Sequence, residues 1–240
     1  MAVNVLLELK ERLRTARSVA VLTGAGISAD SGVPTFRGQD GLWRNFRAED
    51  LATPDAFSRD PRLVWEWYDW RRGLIATKDP NPAHHALVEL ERWYEHFCVL
   101  TQNVDGLHEV AGSRNLIELH GNIWKLRCTQ CGRVRMNRDV PLALLPYCAE
   151  CRGLLRPHIV WFGESLHAED LSRSEDALRS CELLLIIGTS GVVYPAASFA
   201  SVARAAGAFV VEINLERTPS SALVDVSVQG RAKDLLPLLL

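Results

Sequence analysis

Apolar residues fall on consecutive positions in short, β-branched runs: Val19–Leu22, Phe97–Leu100, Leu116–Leu119, Ile159–Phe162, Leu183–Ile187, Phe209–Ile213 and Val224–Val228. A strand that is apolar at every position is covered on both faces, so these runs predict a parallel sheet with crossover helices on either side. Between them the apolar positions recur with helical period, at Asn4–Ala16, Pro82–His96, Glu169–Ser180, Pro195–Ala206 and Ala232–Leu238. The alternation predicts an open, mostly parallel α/β sheet with no internal repeat.

Two stretches break it. Gly38 to Asp79 is rich in Trp, Arg and Pro and carries no strand pattern, and Trp124 to His158 holds four paired cysteines. Both read as insertions from the carboxyl edge of the sheet that together make a smaller lobe. Sheets of this type bind ligands at that edge, so function is expected in the cleft between core and insertions.

Cys128-x-x-Cys131 and Cys148-x-x-Cys151, with residues 132–147 between them, have the spacing of a tetrahedral four-cysteine zinc site. Gly132 and Gly153 follow the pairs closely, as tight knuckle turns require. Redox chemistry would need only one such pair. Four thiolates leave no open coordination position, so the expected metal is structural and holds an insert with little core of its own. Cys98 and Cys181, within or beside strand patterns, read as inert core residues.

The strand Val19–Leu22 runs directly into Thr23-Gly24-Ala25-Gly26-Ile27-Ser28-Ala29-Asp30. Gly24, Gly26 and Ala29 fit the G-x-G-x-x-G/A pattern that lets backbone approach a pyrophosphate. The usual companion, an acidic residue at the end of a second strand about 20 positions on, is missing, because residues 43–50 follow no strand. A nucleotide is expected here, though not one read in the manner of a dehydrogenase.

Composition narrows the partners. The chain has 240 residues, 48% hydrophobic and 23% charged, with a net charge of −2. That balance predicts a globular protein and argues against a broad surface for nucleic acid. No apolar run approaches the roughly 18–20 residues of a membrane span. The first residues, with Glu8 and the charges at Lys10–Arg14, read as an amphipathic helix rather than a signal peptide. A cytoplasmic protein without a membrane partner is expected.

Taken in order, Gly24-Ala25-Gly26-Ile27-Ser28, Gly32-Val33-Pro34-Thr35-Phe36-Arg37, Gln102-Asn103-Val104-Asp105-Gly106-Leu107-His108, His120-Gly121, the cysteine pairs, Val160-Trp161-Phe162-Gly163-Glu164, Gly188-Thr189-Ser190 and Ile213-Asn214 closely resemble the landmarks of the sirtuins, the NAD-dependent protein lysine deacylases. The resemblance spans nearly the whole chain. It implies a single catalytic domain over 1–240, with a Rossmann-like doubly wound parallel sheet (about 1–37, 80–121 and 159–240). The smaller zinc-binding lobe is then formed by a helical insertion (38–79) and a zinc insertion (122–158).

It also implies that NAD is consumed: nicotinamide leaves, the acyl-lysine amide oxygen attacks the ribose, and lysine and O-acyl-ADP-ribose result. His120 is then the general base toward a ribose hydroxyl, a role suited to a group with an ordinary pKa near 6.5. Asn103 orients the ribose and a water, and Asp105 holds the nicotinamide amide, with Gln102 and Val104 beside them. Gly24, Ala25, Gly26, Ser28, Asp30, Phe36 and Arg37 line the nicotinamide and phosphate side. Gly188, Thr189 and Ser190 meet phosphate or ribose, Asn214, Leu215 and Glu216 the adenosine, and Ala232 the adenine. The acylated peptide adds to backbone at Val160–Phe162. The implied partners are acylated-lysine proteins or peptides, with the chain acting as a monomer.

Tyr68 and Arg71 lie three apart on an expected helix and so share a face. A guanidinium beside a phenol suits a carboxylate, whereas the aromatics Trp65, Trp67, Tyr68 and Trp70 also fit a plain core face with Arg71 and Arg72 solvated. Ala48 is small enough to leave room for a longer acyl chain. This Ala…Tyr-x-x-Arg arrangement resembles the class III sirtuins, which remove succinyl and malonyl groups, and so implies an acyl-carboxylate role for Ala48, Tyr68 and Arg71. A zinc-ribbon binding module would leave the glycine loop and His120 idle. A mono-ADP-ribosyltransferase would share the first bond-breaking step but has no use for Arg71.

Overall fold

The computed structural model describes residues 2–34 and 47–240, with backbone alone at 2–5. Six strands form one parallel sheet: β1 Ser18–Thr23, β2 His96–Thr101, β3 Leu116–Glu118, β7 Leu183–Ile187, β8 Phe209–Asn214 and β9 Val226–Gln229, in the order β3-β2-β1-β7-β8-β9. The order reverses between β1 and β7, the topological switch point of a doubly wound fold. Helices α1 (Ala2–Thr15) and α6 (Pro82–Glu91) cover one face, and α8 (Ala168–Ser180) with α9 (Phe199–Ala205) the other. Every residue of β7 is buried, as a continuously apolar strand between two helical layers must be. No helix among the described residues is long and apolar enough to cross a membrane.

The apolar run Ile159–Phe162 is not a strand of this sheet. Instead β6 spans Leu155–Ile159 and pairs antiparallel with β4 (Gly121–Cys128), which also pairs with β5 (Val134–Met136), giving a separate three-stranded sheet. Beyond Ile159 the chain leaves strand geometry because its N–H groups are taken elsewhere: Val160 donates to the His120 carbonyl, Phe162 to that of Ala52, and Trp161 to the Glu164 carboxylate. The expected helix to His96 stops at Glu91, whose carboxylate accepts from the backbone of Arg114 and Asn115.

The region between the glycine loop and α6 forms short helices α3 (Ala48–Leu51) and α4 (Pro54–Arg59), then α5 (Pro61–Ile75). Proline begins α4 and α5, and Thr53 and Asp60 cap them through their side chains. One apolar cluster joins these helices to the three-stranded sheet, with Trp65, Trp67 and Tyr68 of α5 packed against Trp124, Leu126, Leu155 and Trp161. The Trp65 indole donates to the Leu155 carbonyl at 2.8 Å.

Arg72 is fully buried rather than solvated, so the plain amphipathic reading fails there. Its guanidinium donates to the carbonyls of Ile123 (2.9 Å), Asn137 (2.8 Å) and Asp139 (3.1 Å) and to Asn137 Oδ1 (2.6 Å), and lies 4.9 Å from the Trp124 ring centre. It fastens α5 to the cysteine-bearing segment.

Candidate active site

The carboxyl ends of all six parallel strands carry residues singled out from the sequence. Gly24, Ala25, Gly26 and Ser28 follow β1, Gln102–Asp105 follow β2, and His120 follows β3. Gly188–Ser190 follow β7, Asn214 ends β8, and Ala232 opens α10 (Ala232–Leu235) after β9. Phe36 and Arg37 lie outside the described residues.

The loops after β1 and β7 interlock across the switch point. Gly26 N–H donates to the Gly188 carbonyl at 2.9 Å, and a Cβ on Gly26 would stand 2.7 Å from Gly188 Cα. Gly188 itself has φ +61°. The glycines are therefore required first by the close approach of two loops, and this approach brings both rows of backbone to the cleft.

Asn103 is buried and ties the cleft together, donating from Nδ2 to the Gly24 carbonyl (3.0 Å) and to Ser28 Oγ (3.2 Å). Asp105 is buried as well. Burial raises its carboxyl, while the Leu107 N–H at 2.8 Å, the Ser28 hydroxyl and the charge of Arg71 oppose the rise. His120 is half-buried, with Nδ1 2.9 Å from the Gln102 carbonyl. A carbonyl only accepts, so Nδ1 carries the hydrogen and Nε2 keeps its lone pair. Burial lowers the pKa and the hydrogen bond works against that fall.

Two histidines with no role assigned from the sequence sit beneath this row. His84 accepts from the Asn81 N–H at Nδ1 (3.3 Å) and so donates from Nε2 to Ser28 Oγ (3.4 Å); His108 Nε2 meets Thr23 Oγ1 at 2.9 Å. Their rings stack edge-on at 4.9 Å, and burial drives them to about 4 and about 3, so both are neutral at ordinary pH. The available signal is His84 three residues after the helix-capping Asn81.

At the ends of β7 and β8 Asn214 donates to the Thr189 carbonyl at 2.7 Å, and Leu215, Glu216 and Ser190 are exposed, while after β9 the Ala232 methyl is buried. Asp30 is held by Arg231 at 3.0 Å and Lys233 at 3.4 Å.

Tyr68 and Arg71 lie on α5, and Ala48 opens α3. Tyr68 and Ala48 are buried in the shared cluster. Burial pushes the Tyr68 phenol up to about 12 against the pull of the Arg71 charge, so it remains a donor. The partly buried Arg71 guanidinium has its pKa lowered by desolvation and supported by Tyr68 and Asp105, and it lies 5.2 Å from the Trp67 ring centre. Phe162 is half-exposed, and the Val160 and Phe162 carbonyls accept no hydrogen bond from the described residues.

The Sγ atoms of Cys128, Cys131, Cys148 and Cys151 all lie within 4.8 Å of one another, with 3.4 Å between Cys128 and Cys151 and 3.8 Å between Cys131 and Cys148. A tetrahedron of Zn–S bonds near 2.3 Å has edges of about 3.8 Å, so the donors fit zinc. The knuckles match: Gly132 N–H returns to the Cys128 carbonyl and Arg152 N–H to that of Cys148, both residues with positive φ. Gly153 serves differently, since a Cβ there would stand 2.9 Å from Cys128 Sγ. Cys98 and Cys181, raised by burial to about 11, are inert thiols.

A model of the Sir2 family matches residues 24–195. An NAD-dependent protein deacylase of Aquifex aeolicus is 53% identical over 216 residues, 90% of this chain and 90% of that protein. One of Leptospira interrogans is 52% identical over 223 residues, 92% of this chain and 91% of that protein. Among solved structures, a Sir2 homologue in complex with NAD superposes with a TM-score of 0.92 at 43% identity, covering 97% of this chain and 92% of that one. A Sir2 structure with a deacetylated peptide and 3'-O-acetyl ADP-ribose superposes at 0.85 with 31% identity, covering 98% and 96%.

Proposed function

Because this chain belongs to the Sir2 family, we infer that it removes acyl groups ending in a carboxylate, succinyl and malonyl, together with acetyl, from protein lysines. Its activity is NAD-dependent protein-lysine deacylation, with NAD as a consumed co-substrate and one structural zinc held by Cys128, Cys131, Cys148 and Cys151. The observation that supports the acidic acyl preference is Arg71, within electrostatic reach of both Tyr68 and Asp105. One guanidinium thereby links the acyl side of the cleft to its nicotinamide side.

Each residue has a task that its surroundings suit. The glycine loops at Gly24–Gly26 and Gly188–Ser190 hold the phosphates and ribose, with Asn214 and Ala232 at the adenosine end. Asp105, already hydrogen-bonded to the Leu107 N–H, takes the nicotinamide amide. Asn103, fixed by Gly24 and Ser28, orients the ribose. His120 draws a proton from a ribose hydroxyl at Nε2, the nitrogen not committed to Gln102. The peptide donates its N–H groups to the Val160 and Phe162 carbonyls, a backbone mode that reads little side-chain sequence. Segments 47–79 and 122–158 act as one lobe, since a single apolar cluster joins them. A monomer is taken as the working unit.

The test is incubation with acetyl-lysine and succinyl-lysine peptides, with and without NAD, scored by nicotinamide release. Release with both peptides only when NAD is present is expected. Arg71→Met should lower the succinyl-to-acetyl ratio of kcat/KM; an equal loss on both peptides would overturn the acyl-carboxylate reading.

A further inference from the structure

Trp161 lies beside Tyr68, in a segment of the chain remote from α5. Its indole Nε1 donates to the Tyr68 hydroxyl oxygen at 2.8 Å, and both side chains are buried. A phenol carries one hydrogen and offers its lone pairs as acceptors. With an N–H delivered to the oxygen, the hydroxyl hydrogen must point away from Trp161, and no described residue accepts it.

The indole is itself held on several sides. The Arg156 guanidinium lies 3.4 Å from the Trp161 ring centre, and Phe57 packs against the ring at 5.2 Å between centroids. The Glu164 carboxylate receives two bonds from Arg156, at 2.6 and 2.8 Å, and also accepts the Trp161 backbone N–H at 2.8 Å. Arg156 and Glu164 thus fix both the backbone and the ring of the residue that polarises Tyr68. None of these groups is among the residues assigned above to NAD.

We propose that Trp161 is a positioning residue for acyl selectivity: its indole N–H orients the Tyr68 hydroxyl so that this hydroxyl donates to the terminal carboxylate of the acyl group, alongside Arg71. The idea rests on the acyl-carboxylate reading above. An acetyl group has no such carboxylate, so the arrangement matters for succinyl substrates and not for acetyl ones. Losing the Tyr68 donor removes one hydrogen bond to a charged group, a loss of roughly tenfold or more. Losing the indole N–H leaves the donor in place but misdirected.

The test is a double-mutant cycle on the holoenzyme with Trp161→Phe, Tyr68→Phe and the pair combined, read as the succinyl-to-acetyl ratio of kcat/KM. Each single variant should lower the ratio by about tenfold, through KM for the succinyl peptide rather than kcat. The double variant should fall no further, because both changes remove the same interaction. A Trp161→Phe enzyme with an unaltered ratio, or an additive double variant, would overturn the proposal. Arg71→Met is run beside them: if it leaves the ratio unaltered the acyl-carboxylate reading itself falls, whereas if it lowers the ratio and Trp161→Phe does not, only the role of Trp161 falls. Should Trp161→Phe not fold, the unmodified protein still decides. Its Trp161 indole N–H resonance, identified as the one displaced by Tyr68→Phe, should move on binding a succinyl-lysine peptide and stay in place with an acetyl-lysine peptide; the reverse would overturn the proposal.

Discussion

The Nδ1 hydrogen of His120 is held by the carbonyl oxygen of Gln102 at 2.9 Å, which leaves the opposite ring nitrogen as the basic atom of this ring. Burial lowers the pKa of this histidine from its ordinary value near 6.5, so it remains a neutral base below that pH. The kcat/KM for deacylation should therefore hold level as pH falls through 6.5 and decline only at lower pH. A pH–rate profile with its acid inflection at or above 6.5 would contradict this. His120→Tyr, which removes the base and fills its place with a larger ring, should abolish turnover of acetyl and succinyl peptides alike.

The buried pair His84 and His108 sets a pH limit on stability. Both have folded pKa values, about 4 and about 3, below the unfolded value near 6.5. Above 6.5 neither state binds the proton and the pair costs nothing. Below it the unfolded chain takes up protons that the fold refuses, so stability falls as pH drops from 6.5 toward those values. At pH 5 the loss reaches up to about 2 kcal/mol for each ring. Urea midpoints at pH 7.5, 6.5 and 5.5 check it, and a midpoint that does not drop below pH 6.5 would count against it.

Arg72 makes the opposite kind of contribution. Its removal strands the buried carbonyl of Ile123, whereas the oxygens of half-buried Asn137 and exposed Asp139 can turn to water, and an unmet buried acceptor costs about 1–3 kcal/mol. Arg72→Met should destabilise the protein by about 1–3 kcal/mol, the cost of leaving the Ile123 carbonyl unmet. A thermal melt within a degree or two of the parent would show that the bridge is dispensable.

Zinc removal should act at a distance. The four thiols lie in the same lobe as the apolar cluster that packs α5, so chelation should loosen the three-stranded sheet and then displace Tyr68 and Arg71. Near-ultraviolet circular dichroism should lose its tryptophan signal together with activity. An apo-protein with native dichroism and full rate would refute a structural role for the metal.

Much of the cleft is legible in the sequence because its parts are local. The strands β1 and β7, the glycine loop and the cysteine knuckles each announce themselves within about ten residues, as short-range backbone geometry does. What escapes is set by partners far away in the chain. Arg71 and Arg72 look alike as neighbours on a helix, yet Arg71 is partly exposed and Arg72 is buried by carbonyls 51 to 67 positions away. Ile159–Phe162 carries the apolar signature of a strand, but the Ala52 carbonyl and the Glu164 carboxylate take its N–H groups. The bond between Trp161 and Tyr68 spans 93 positions and leaves no periodic trace.

The helix α5 thus divides its labour around its circumference. Trp65 and Arg72 are welded to the cysteine-bearing segment, while Tyr68 and Arg71 are the residues proposed to read the acyl group. On that reading, exchanging one or two side chains at the acyl end alters what the enzyme accepts while the weld stays untouched.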